Sequence, residues 1–414
     1  MEIFAASYVV PMESPTIEGG AIAVADGHVV AVGTLAELRS AYGCAVTDFP
    51  SCVIMPGLVN AHTHLELTHF PSWKLRKGID YSPRTYVDWV IQVIKIKRGL
   101  TRDELELSVR EGIRIALESG TTAVGDILTE RSLVPCHEES RLGGRLYFEA
   151  IGHDEGHCSA LLTELRHALD TFPSGSFKAG ISPHSPHTLS PRFMTEVADL
   201  AVSASLPTMV HLAESREELA FLHDSGGKIA ELLYPFAGWE SHLPPPRRTT
   251  PTVYLDSLGV LRWDTAVVHC VHVTPADVEI LKHRGVTAVL CPRSNDRLVV
   301  GKAPAALLKK AGIPLALGTD SLASNDSLSL WDEMRFLHQE FPSVFTPIEI
   351  LEMATIGAAR AIRRDDELGS LSPGKLADFL IVRPGETGSS SELPEILIER
   401  SDLLEVFIGG KQLS

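Results

Sequence analysis

From about Gly57 to Gly318 the chain keeps one rhythm, a short apolar run followed by a longer amphipathic segment, and few folds accept that rhythm. Apolar runs of strand length lie near residues 57–62, 122–127, 145–151, 178–183, 208–212, 266–271, 288–292 and 314–318. Between them the spacing predicts helices over 102–119, 159–170, 191–204, 275–284 and 304–311. Glu118-Ser119-Gly120-Thr121-Thr122 displays one junction, a helix stopping at Gly and running into a strand. Strands alternating with helices pair in parallel, and eight of them close an α/β barrel. A doubly wound open sheet is the alternative topology. The Pro-rich stretch 235–251 reads as an irregular excursion after the fifth strand, and no internal repeat is visible.

Both ends of the chain have a different texture. Ala21-Ile22-Ala23-Val24 and His28-Val29-Val30-Ala31-Val32 flank Asp26-Gly27, a hairpin signature because Gly takes positive φ. Ala377 to Val382 and Glu405-Val406-Phe407-Ile408 are strand candidates around a Gly/Ser-rich loop near 385–391. Each end is too short to bury a core alone, so the two are expected to pair into one small sheet; two independent edge ribbons are the alternative.

Composition limits the partners. The 414 residues carry 53 Asp+Glu against 37 Lys+Arg, a net −16 that repels phosphate backbones and anionic lipids. The expected partner is a small molecule rather than nucleic acid or membrane, with a homo-oligomer left open. Six scattered cysteines contain no Cys-x-x-Cys pair and read as reduced thiols. Met1-Glu2-Ile3-Phe4 lacks a basic, apolar leader, and no apolar run approaches the roughly 20 residues of a membrane helix, so a cytoplasmic location is expected.

Chemistry concentrates at the strand ends. His62-Thr63-His64 follows the first run, and residues i and i+2 of a strand point to one side, so both imidazoles can face one ion. His211 ends the fifth run with Glu214 three residues on; His269 ends the sixth with His272 three further; Asp320 follows Gly318-Thr319 at the eighth. Active sites of α/β barrels are built at these carboxyl ends. Imidazoles with a carboxylate suit Zn²⁺, with Fe²⁺ as the alternative, and a catalytic site keeps a position for water whose pKa the ion lowers to about 7. Glu214 can then shuttle a proton and His269 can orient or deprotonate the nucleophile. Gly226-Gly227-Lys228 and Gly409-Gly410-Lys411 lack the spacing of phosphate loops and read as turns.

Pro56-Gly57-Leu58-Val59-Asn60-Ala61-His62-Thr63-His64, His211-Leu212-Ala213-Glu214, His269-Cys270-Val271-His272 and Gly318-Thr319-Asp320-Ser321-Leu322-Ala323-Ser324-Asn325 together resemble the amidohydrolase superfamily, in its cytosine deaminase-like and chlorohydrolase-like branch. The resemblance implies a distorted (β/α)8 TIM barrel over residues 56–369 and a small β-sandwich domain built from 1–55 and 370–414. It implies His62, His64, His211 and Asp320 as ligands of one divalent transition metal, Glu214 as proton shuttle, and His269 beside the hydrolytic water, with Asp320 also handling protons. Binuclear members carry a Lys at the end of the fourth strand; here that strand ends in Ser182-Pro183-His184-Ser185, so one ion is implied.

The implied reaction is deamination of an amino-substituted purine-type ring. Metal-bound hydroxide attacks the amino-bearing carbon, Glu214 protonates the neighbouring ring nitrogen, and ammonia leaves. Ser182-Pro183-His184-Ser185-Pro186-His187 is similar to the fourth-strand motif of adenine-nucleoside deaminases, which makes His184 a substrate contact. The segment from Glu66-Leu67 through Val87-Asp88-Trp89, and then Cys291-Pro292-Arg293-Ser294-Asn295, resemble aminodeoxyfutalosine deaminases. They point to 6-amino-6-deoxyfutalosine or a related adenine nucleoside, with Trp89 and Arg293 as further contacts. Loss of chloride or opening of a cyclic amide at the same site is the alternative chemistry, and a non-catalytic barrel the alternative class. His187 and His272 receive no role.

Overall fold

The computed structural model describes residues 1–79, 82–386 and 388–413. Eight parallel strands follow one another around a single sheet in sequence order: Leu58–Thr63, Thr121–Leu128, Gly143–Ala150, Phe177–Pro183, Thr208–Leu212, Thr265–His269, Thr287–Leu290 and Leu315–Leu317. These are the eight apolar runs, with ends moved by at most two residues. Order decides between the two candidate topologies, because a doubly wound sheet reverses direction at a switch point and this one does not. The ends meet where Thr63 bridges Asp320 and the Asp320 amide donates to the His62 carbonyl at 3.1 Å. The fold is a TIM barrel.

Its distortion has identifiable places. The first and second strands slip register between Leu58 and Val59 and again between Asn60 and Thr63. The fourth and fifth share one ladder pair, Ile181 with Thr208. The sixth stops two residues short of the expected Val271 because His269 and Cys270 turn left-handed, at φ 72° and 52°. The helices expected from periodicity appear as Arg102–Glu118, Glu155–Asp170, Pro191–Ser203, Pro275–Arg284 and Ala305–Ala311. The excursion is less irregular than its prolines suggest: it contains Tyr234–Ala237, closed by Gly238 at φ 79°, and Pro251 opens the helix Pro251–Ser257.

Both chain ends enter a second, mixed sheet. Val46–Pro56 pairs in parallel with Glu2–Val9 on one side and antiparallel with Phe379–Pro384 on the other, which excludes two separate ribbons. Asp26 and Gly27, at φ 50° and 80°, make the expected tight turn between Gly20–Ala25 and His28–Thr34. This sheet curls over its own core. Phe4 and Phe407 sit three strands apart, about 14 Å in a flat sheet, yet their rings are 5.2 Å apart. Phe379 stacks on Phe407 at 4.4 Å between them. The expected Gly/Ser loop near 385–391 includes Thr387, which lies outside the described residues; Ser401–Ile408 resumes the sheet.

Buried Asp378 accepts the Gly409 amide at 2.8 Å, and burial pushes its carboxyl up to about 6. The folded state therefore holds that proton more tightly than the unfolded chain. The stabilising contribution is complete below the unfolded value of about 3.9 and is lost as pH rises through the folded value. Asp378→Asn keeps the acceptor without the titration. Urea unfolding between pH 4 and 7 should show the wild type losing roughly 1–3 kcal/mol relative to the variant across that window.

Candidate metal centre

Three strand ends bring imidazoles together. His62 and His64 stand edge to face at a centroid distance of 4.9 Å, and His62 lies 5.0 Å from His211. The ligand nitrogens of the three residues all fall within 4.8 Å of one another. Asp320 Oδ1 is 3.7 Å from both His62 Nε2 and His64 Nε2, too long for a hydrogen bond. His62 Nε2 is buried without a hydrogen-bond partner among the described residues. A buried nitrogen in that state calls for a partner, and a shared cation supplies one.

The outward nitrogens fix the tautomers. His211 Nδ1 donates to the His184 carbonyl at 2.9 Å, and His62 Nδ1 lies 3.2 Å from Met209 Sδ. Both rings therefore present Nε2 lone pairs inward. Burial pushes all three imidazoles below their usual range, His211 to about 3, so they are neutral donors at pH 7. Asp320 Oδ2 accepts from Ser294 at 2.7 Å and Ser324 at 2.8 Å, which leaves Oδ1 for the centre. Three neutral imidazoles and one carboxylate fit a divalent transition ion.

The backbone beneath is held by polar staples. Asn60 Nδ2 donates to Thr319 Oγ1 at 2.7 Å, while its Oδ1 accepts the amides of Thr319 and His62. Asp126 accepts the Leu65 amide at 2.9 Å and pairs with His137 at 2.7 Å, fixing the turn after His64. Ala213, His269, Cys270 and Asp320 hold left-handed φ of 50°, 72°, 52° and 58°. Non-glycine residues rarely adopt that region, and its concentration here places strain at the mouth of the barrel.

Around the cluster lie groups able to move protons. Glu214 is buried; its Oε2 accepts from Tyr86 at 2.9 Å and its Oε1 is 3.8 Å from His269 Nε2. Burial and the nearby carboxylates of Asp320 and Glu218 push Glu214 well above the usual carboxyl range, which favours its proton-bearing form. His269 pairs through Nδ1 with Asn295 Oδ1 at 2.9 Å, and burial lowers it to about 4. Its Nε2 thus offers a lone pair. Glu218 accepts the amides of Ala213 and Glu214 at 3.0 and 3.1 Å, fixing the loop from which Glu214 projects.

A cavity of about 290 Å³ joins these groups, lined by His64, His211, Glu214, His269 and Asp320. Trp89 and His184 also line it, and the Trp89 indole donates to the Ala323 carbonyl. Arg293 lies outside the lining, tied to Asp326, Asn325 and buried Glu333. His187 meets Ser185 and packs on Phe221; His272 bonds the Val300 carbonyl. Sequence reasoning passed over Tyr86, Asn60, Asn295, Asp126 and Glu218. Asn60 and Asn295 sit inside quoted motifs, and Glu218 lies one helical turn beyond Glu214, so position could have found them. Tyr86 directly precedes Val87-Asp88-Trp89, so that segment could have found it, and Asp126 is a carboxylate near the end of the second apolar run.

The amidohydrolase family matches residues 53–413, nearly the whole chain. The chain belongs to the amidohydrolase family. Amidohydrolases use a divalent metal ion, and this amidohydrolase is an enzyme that hydrolyses C–N bonds other than peptide bonds. Residues 20–43 also match the bacterial imidazolonepropionase-like composite domain. The amidohydrolase is 32% identical over 379 residues to a 5-methylthioadenosine/S-adenosylhomocysteine deaminase of Nitratidesulfovibrio vulgaris, covering 88% of this chain and 79% of that one. It is 31% identical over 353 residues to an aminodeoxyfutalosine deaminase of Deinococcus radiodurans, covering 83% and 81%. An adenosine deaminase from Xanthomonas campestris, solved with bound zinc, superposes with a TM-score of 0.80 at 26% identity over 99% of this chain and 92% of that one. Helicobacter pylori aminofutalosine deaminase shares the fold over 100% of both chains, with a TM-score of 0.85 at 22% identity.

Replacing Glu218 by Gln removes one of two acceptors and leaves a buried amide unpaired beside Glu214. The expected result is a kcat lower by about tenfold to a hundredfold, with metal stoichiometry unchanged, read from steady-state rates and elemental analysis.

Proposed function

We propose that this amidohydrolase is a mononuclear zinc deaminase of adenine-type nucleosides. His62, His64, His211 and Asp320 hold the ion, and the orphaned His62 Nε2 is the observation that carries the assignment. Zn²⁺ is preferred to Fe²⁺ because the donors are mostly neutral imidazole and the Xanthomonas campestris adenosine deaminase carries zinc. A single ion suffices, since the fourth strand offers Lys178 only at its exposed start. When bound, the ion supplies a water acidic enough to ionise near neutral pH.

The remaining chemistry belongs to side chains. Protonated Glu214, held by the Tyr86 hydroxyl, donates to the ring nitrogen next to the amino-bearing carbon and makes that carbon electrophilic. His269 Nε2, oriented by Asn295, takes a proton from the attacking water, with Asp320 beside it. The tetrahedral carbon collapses as His269 passes its proton to the amino group, which leaves as ammonia, and the remaining hydroxyl proton returns to Glu214 as the carbonyl forms. Nucleosides with a bulky 5′ substituent fit the cavity, whose wall includes Trp89, Val90, Val93, Ile94, Leu233 and Trp239. Within that class we favour 6-amino-6-deoxyfutalosine, with 5′-thioether adenosines next, in keeping with the named relatives.

Ammonia release from adenosine, 5′-methylthioadenosine, S-adenosylhomocysteine and 6-amino-6-deoxyfutalosine tests the reading. Turnover without ammonia, or none on the whole panel, overturns it. Glu214→Gln should keep its metal while losing about 10²–10⁴-fold in kcat. His62→Ala should lose both metal and activity. A fully active Glu214→Gln, or a His62→Ala with full metal and rate, contradicts the assigned roles.

A further inference from the structure

We infer that Glu149, together with His184, is the subsite that grips the sugar hydroxyls of the nucleoside; the inference rests on the nucleoside reading above. Glu149 ends the third strand, and His184 directly follows the fourth, next to it in the sheet. Both line the cavity that holds the metal cluster. Glu149 is 7% exposed, so its open oxygen is reached through that cavity or not at all.

Counting protons shows what the pair lacks. Glu66, neighbour of Glu149, is already satisfied: Lys97 Nζ donates to Oε1 at 2.5 Å and the Thr129 amide to Oε2 at 3.3 Å. The Thr129 hydroxyl, which accepts from Lys97 at 3.0 Å, lies 2.8 Å from Glu66 and 2.9 Å from Glu149 Oε2. It has one proton, and Glu149 Oε2 is the acceptor without another source. Oε1 then has no donor within hydrogen-bond distance among the described residues. The group facing it is His184 Nε2 at 3.9 Å.

His184 cannot fill the need. Its Nδ1 is 2.9 Å from Thr188 Oγ1, and that hydroxyl donates to the Ser185 carbonyl at 3.2 Å. With the Thr188 proton on that carbonyl, the ring proton sits on Nδ1 and Nε2 presents a lone pair toward Glu149; with Thr188 donating to Nδ1 instead, Nε2–H still stops 3.9 Å short of Glu149 Oε1. In both tautomers Glu149 Oε1 and His184 Nε2 face each other across the cavity wall at 3.9 Å with no hydrogen bond between them.

The chemistry that satisfies such a pair is a donor with two O–H groups on adjacent carbons. Ribose offers that in its 2′- and 3′-hydroxyls, each able to donate to one acceptor. A phosphate or carboxylate brings only lone pairs and is repelled. Lys97, which lines the same cavity, is paired with Glu66. Glu149 therefore selects for the ribo sugar at this point of the cavity.

The test compares adenosine with 2′-deoxyadenosine and 3′-deoxyadenosine on the full-length, metal-loaded enzyme. The wild type should prefer adenosine over at least one deoxy analogue by about tenfold to a hundredfold in kcat/KM, chiefly through KM. Glu149→Gln should bring that ratio toward one while metal content stays stoichiometric. A wild-type ratio near one for both analogues overturns the inference without any variant. So does a Glu149→Gln enzyme that retains the wild-type ratio. Absence of ammonia from every nucleoside removes the nucleoside reading itself and this subsite with it, an outcome distinct from deamination that ignores the sugar.

Discussion

The carboxamide of Asn60 ties the first barrel strand to the last through one donated and two accepted hydrogen bonds. His62 and His64 stand on one side of this seam and Asp320 on the other, more than 250 positions away in the chain. Thr63, whose hydroxyl donates to the Asp320 carbonyl at 2.8 Å, reinforces the closure between the two imidazoles. Gly318 permits the approach: a Cβ there would meet the His62 carbonyl at 2.8 Å. For the proposed ligand set, metal affinity is in this sense a property of barrel closure. The four donors exist as a set only while the seam is shut.

Burial then sets the protonation states in opposite directions. Removing the imidazoles from water favours their neutral form, which is what a metal requires of them. Removing Glu214 from water also favours its neutral form, which for a carboxylic acid is the proton-bearing one. One buried cavity therefore favours both neutral electron-pair donors and a proton-bearing acid. Tyr86 and Asn295 add direction, aiming the acid and leaving the lone pair of His269 free. The carboxylate of Glu149, across the mouth, is left to the ligand.

Much of this was legible because the barrel writes itself in apolar runs, and the strand ends carry the polar exceptions. His62, His64, His211, His269 and Asp320 interrupt or follow such runs, so each stood out. The helix Tyr86–Lys97 did not. Val87, Val90, Ile91, Val93, Ile94 and Ile96 surround it on several sides and blur the 3.6-residue period, because one face packs on the barrel and another lines the cavity. Its cavity residues Tyr86 and Lys97 were hidden with it. Glu149 looks like an ordinary charge in sequence until tertiary burial distinguishes it, whereas the place of Glu218 one turn beyond Glu214 was a signal in the sequence itself. Arg293 illustrates the converse: a cation beside a site motif is spent on Asp326 and Glu333, because the strand-end loop needs a brace.

The curled terminal sheet has a consequence for how the molecule comes to exist. Its central strand, Val46–Pro56, is made early, yet one of its two neighbours, Phe379–Pro384, emerges from the ribosome more than 300 residues later. Until then that edge is unpaired, a template for pairing with other chains. Such long-range contacts also slow folding, since loop closure must precede their reward. The nascent barrel matures beside an unfinished companion until Phe379–Pro384 has been made.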